Sequence, residues 1–103
     1  MAHYNINDLV DPQEFKREYP HIRVIDPTYW DNVQAGYYVE IRRQGEHFWV
    51  EVVDVTCCEV TGEVYYQLGI NPYQIGDTLT FKKCYQFDIY DPQIFNLIPQ
   101  VHI

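Results

Sequence analysis

The chain has 103 residues, 47% hydrophobic and 17% aromatic, with fifteen acidic residues against seven basic ones and a formal net charge of −8. That length fits one domain with one core, and the apolar content rules out intrinsic disorder despite the charge. The same balance argues against direct nucleic-acid binding, which draws on clustered Lys and Arg; the basic residues offer only the pairs Lys16–Arg17, Arg42–Arg43 and Lys82–Lys83.

Met1–Val10 lacks the basic start and apolar run of a secretory signal, and no stretch approaches a membrane-spanning helix in length. The three cysteines, Cys57, Cys58 and Cys84, are an odd count that suits a disulfide framework poorly. Free thiols in a reducing, intracellular compartment are the expectation.

Met1–Val10 reads as extended or loosely packed. Asp11-Pro12-Gln13-Glu14 then carries a helix start: a capping carboxylate, a proline at the first helical position and an acid in the first turn. Phe15 and Tyr19 lie four apart and share one face, and Pro20 stops the helix near Tyr19. A helix of about two turns is marginal alone, so it is expected to pack through Phe15 and Tyr19. His21–Ile25 suits a strand or an extended link. Asp26–Asn32 is turn-rich, with Trp30 as an anchor.

From Tyr37 the pattern has period two. Tyr37, Val39 and Ile41 face one side, and Tyr38, Glu40 and Arg42 the other. Gln44-Gly45-Glu46 predicts a hairpin, followed by a strand at Phe48–Val55. There Phe48, Val50 and Val52 lie on one face and Trp49, Glu51 and Val53 on the other, a pattern expected of a strand covered on both sides. Thr56-Cys57-Cys58 turns the chain into a strand over Glu59–Gln67, with Gly62 marking a bulge or a close approach. A loop over Asn71–Asp77 leads to a strand at Thr78–Lys82. Phe87–Tyr90 suits a closing strand or a helical turn, and Asp91-Pro92 breaks it. The tail from Ile94 to Pro99 is apolar, and either packs as an edge strand or offers itself to another chain.

These elements predict a mainly β domain: a small antiparallel SH3-like β-barrel or roll with a short N-terminal helix. The expected division is an extension over 1–32, a core over 33–91 and an apolar tail over 92–103. Glu46-His47-Phe48-Trp49-Val50, Thr61-Gly62-Glu63-Val64, Ile75-Gly76-Asp77-Thr78-Leu79-Thr80-Phe81 and Asp88-Ile89-Tyr90, in that order, resemble a family of small β-barrel domains of unknown function. Its members are found in bacteria and in giant DNA viruses that infect amoebae. The resemblance covers roughly residues 33 to 91 and implies the barrel or roll; it implies no catalytic residues. It also implies a viral setting, in the infected cell or the virion.

The candidate chemistry is sparse. Zinc wants about four convergent ligands, and adjacent cysteines with a distant Cys84 do not supply them, so no metal or other cofactor is expected. A catalytic cysteine needs positive surroundings, whereas Asp54 and Glu59 flank the Cys57–Cys58 turn. Glu40, Glu51 and Glu63 sit on separate strands and, with His47, would serve a metal-dependent or hydrolytic enzyme if their faces coincide. The ten Tyr residues point elsewhere, because tyrosine buries a rigid body while keeping a polar tip and is favoured at interfaces. The expected surface is Tyr38, Tyr65, Tyr66, Tyr73 and Tyr85, with Ile94, Phe95 and Leu97 from the tail. The reading is a non-enzymatic protein–protein interaction module, with a homodimer among its partners. A rival is an acidic nucleic-acid mimic that occupies a basic partner.

Overall fold

The structure is a computed structural model and describes residues 1–93. Six strands form one sheet in the order β1-β5-β4-β3-β2-β6. They are β1 (His3–Asn5), β2 (Tyr38–Arg43), β3 (Glu46–Val55), β4 (Glu59–Glu63), β5 (Thr78–Lys82) and β6 (Asp88–Tyr90). β2 to β5 make an antiparallel meander, β6 returns to the free side of β2, and β1 joins β5 in parallel. The sheet is therefore mixed and open, a small roll rather than a closed antiparallel barrel. Met1–Val10, read as extended or loosely packed, contributes the extended β1, which pairs His3 with Thr78 and Asn5 with Thr80.

One face of the sheet is the core. Val39, Ile41, Phe48, Val50, Val52, Val60, Leu79 and Phe81 are buried there, and Ile6, Leu9, Val33, Val64, Leu68 and Tyr73 from the connecting segments close over them. The β2–β3 hairpin turns at Gln44 and Gly45, both with positive φ (54° and 82°), a geometry that matches the twist of the flanking strands.

β3 carries the bulge. Val52 pairs with Gly62 but Asp54 with Thr61, leaving Val53 as the extra residue. The extra residue flips the alternation, so Val55 pairs with Val60 and packs against the core. Val53 itself is 44% exposed, so β3 is not covered on both faces. Gly62 is a close-approach point rather than the bulge: a Cβ there would collide with the Val50 side chain.

Helix α1 (Pro12–Glu18) begins where its sequence signals place it. Asp11 accepts from the Gln13 and Glu14 amides, at 2.9 and 3.4 Å. Its packing partner is Phe87, 5.6 Å from Phe15 between ring centres. The Arg42 guanidinium lies over both rings, at 4.5 Å from Phe87 and 5.1 Å from Phe15. Tyr19 lies tilted against Phe15 but stays 49% exposed, so Phe15 and the buried Pro12 anchor the helix. His21–Ile25 forms no strand; Ile25 donates one backbone bond to Phe87. Asp26 caps a 3-10 helix over Pro27–Asn32.

Candidate interaction groove

The outer face of the sheet carries the side chains that the core rejects. Register sets Tyr90 beside Tyr38, and Tyr38 beside Glu51. Trp49 stands one step along, opposite Glu40. Together Tyr38, Trp49, Tyr65, Tyr90 and Pro92 line an open groove of about 480 Å3.

The groove exists because β4 stops early. A strand reaching Gln67 would continue the ladder beside Trp49. Instead pairing ends at Glu63, and the chain peels away with Tyr65 exposed at 42%. The Trp49 amide, which alternation points to the β4 side, donates to the Tyr66 hydroxyl at 2.9 Å. One phenol thus stands in for a missing backbone carbonyl.

The rings form a connected series. Tyr65 contacts Tyr38 edge-on at 5.3 Å and Tyr66 at 4.9 Å, and Tyr38 lies 6.1 Å from Tyr90. Such tilted contacts favour a fixed aromatic surface. Burial first, then the neighbouring Tyr66, Tyr38 and Glu51, pushes the Tyr65 phenol above its usual range, so it stays a neutral donor at physiological pH. Glu51 and Glu63 pair across the strands at the groove's flank.

Tyr38, Tyr65 and Tyr66 of the expected surface come together here. Tyr73 does not: it is buried, 5.0 Å from Tyr4 and under the Arg43 guanidinium at 5.5 Å. Tyr85 is half-buried against the core. Ile94, Phe95 and Leu97 lie outside the described residues. Trp49, Tyr90 and Pro92 complete the groove without having been singled out for it. Trp49 reaches the Tyr38 face through the β2–β3 register, and Tyr90 through that of β2–β6.

Glu40, Glu51 and Glu63 do share the outer face. Glu40 is committed to Arg42 at 3.4 Å and to His47 at 3.1 Å. Among the described residues no group of three His, Cys, Asp or Glu could hold a metal ion. No helix among them is long and apolar enough to cross a membrane.

No family model, curated protein or solved structure matches this chain.

Proposed function

We propose that this chain is a non-enzymatic protein-interaction module that receives a short, extended apolar peptide in the Tyr38–Trp49–Tyr65–Tyr90 groove. The observation that carries this reading is an open groove of half-buried aromatic side chains on the outer face of the sheet, with Tyr65 exposed and Pro92 at the rim. Aromatic-lined grooves suit extended or polyproline segments, because such segments lose little entropy on binding. Glu51 and Glu63 at the flank, in a chain of net charge −8, favour a peptide with a basic residue beside its apolar anchor.

Peptide display against the whole chain tests the reading. The selected peptides are expected to be apolar, with Pro or an aromatic anchor and a neighbouring Lys or Arg. Trp49→Ala and Tyr65→Ala should abolish capture while leaving the thermal transition close to the parent's. Peptides that bind those variants as well as the parent would defeat it.

Pro92 favours a second reading. Ile94, Phe95 and Leu97 follow Pro92 closely in sequence, so a second copy's apolar segment would be a ready ligand and give a homodimer. Removing residues 94–103 is then expected to lower the mass in solution; an unchanged mass rules this out.

A further inference from the structure

All three cysteines of the chain line one shallow depression of about 350 Å3, together with Trp30, Asp31, Glu59, Lys82 and Lys83. The β4–β5 register produces this. Glu59 pairs with Lys82, which brings the Thr56–Glu59 turn beside the 3-10 helix Lys83–Tyr85 that carries Cys84. The Lys83 amide donates to the Cys58 carbonyl at 3.0 Å, and the turn is closed by Thr56 donating to the Glu59 carbonyl at 2.9 Å.

Within that turn Cys57 and Cys58 are both exposed, and their sulfurs lie 3.1 Å apart. We propose that Cys57 and Cys58 form a solvent-facing dithiol site for a soft thiophilic ion of the Cu(I) type.

Two arguments favour ion capture over redox chemistry. Adjacent Cα atoms lie about 3.8 Å apart across a trans peptide, shorter than the roughly 4.4–6.8 Å that a relaxed disulfide spans. A bridging ion needs no sulfur–sulfur bond. Second, soft thiolates select Cu(I), whereas zinc needs a fuller set of ligands than the described residues gather here.

The step balances without electron transfer. Two thiols release two protons and bind one Cu(I), leaving a complex with one negative charge. Lys82 in the wall offsets that charge, while the Lys83 ammonium is already paired with Asp31 at 2.9 Å.

Anaerobic titration of the reduced full-length chain with Cu(I), against a chromophoric Cu(I) chelator, tests the site. The expected result is that one equivalent leaves the chelator. Cys57→Ser and Cys58→Ser each lose that equivalent, and Cys84→Ser keeps it. These positions are at the surface or beside it, and circular dichroism confirms that each variant is folded. In the parent, Cu(I) is expected to protect Cys57 and Cys58 from iodoacetamide, read by mass spectrometry. Copper that stays with the chelator overturns the proposal. So does equal uptake by the two serine variants, loss in Cys84→Ser alone, or an equal uptake of Zn(II).

Discussion

Glu46 and Asn71 clasp each other beside the turn of the β2–β3 hairpin: one Glu46 oxygen accepts from both the backbone amide and the side-chain Nδ2 of Asn71, each at 2.9 Å. The Gly69 and Ile70 amides complete the ring of donors, at 2.6 and 2.9 Å. Asn71 in turn bonds Arg43, through its Nδ2 to the Arg43 carbonyl and through its Oδ1 from the guanidinium. Arg43 closes the network on Asp8. A single carboxylate therefore fixes the long loop between β4 and β5 to the hairpin.

This clasp sets an acid limit on stability. Burial alone would raise the Glu46 pKa, but the donors of Asn71, Gly69 and Ile70 outweigh it and hold the group at about 2. A carboxylate depressed in the folded state stabilises above its unfolded pKa, 4.5, and that contribution is lost as pH falls through the interval down to about 2. Asp8, held down by its bond to Arg43, and Asp77, held down by the Ala2 and Gln74 amides, shift the same way. Glu46→Gln is expected to cost about 1–3 kcal/mol at neutral pH and to flatten the fall between pH 4.5 and 2. Denaturant melts at several pH values measure both effects.

Gly62→Ala is expected to destabilise the chain by about 1–3 kcal/mol, because the new methyl enters space held by Val50. Adding Val50→Ala should recover part of that loss, so the two changes will not sum. Urea unfolding of the single and double variants gives the coupling directly.

Tyr66→Phe removes the acceptor of the Trp49 amide and keeps the ring. The expected cost is about 1 kcal/mol, with a change in Trp fluorescence that reports on the groove wall. Hydrogen exchange should show the Trp49 amide opening faster than its β3 neighbours; unchanged protection would mean that the hydroxyl contributes nothing there.

Arg42→Lys should behave as a non-conservative change. A planar guanidinium stacks on Phe15 and Phe87 together, whereas an ammonium is a point charge. The loss is expected to be about 0.5–2 kcal/mol and to concentrate in α1, read as faster amide exchange over residues 15–18 with the β2–β5 meander unaffected.

Legibility in the sequence tracked how local the cause was. Thr78–Lys82 is found to the residue, since Leu79 and Phe81 alternate behind a Gly76-Asp77 turn. The α1 start is equally plain because Asp11 and Pro12 act within one turn. β1 escaped notice: His3–Asn5 has no buried residue and earns its place by pairing with a strand far along the chain. The end of β4 at Glu63 depends on the Tyr66 hydroxyl replacing a backbone partner, which no alternation pattern encodes. The same holds for the sites. Tyr38 and Tyr65 stand out by type, but Tyr90 and Cys84 reach their neighbours only through cross-strand register.

The β1–β5 ladder has a kinetic consequence. Ala2 and Asp77 are joined across a sequence separation of 75, so this edge must close a long loop before any contact rewards it. The hairpins of the meander can form from near neighbours first, and the opening residues add afterwards as a seam. What is sewn last with few stitches is also what a brief fluctuation will unpick first, exposing the outer edge of β5 while the rest of the molecule stays whole.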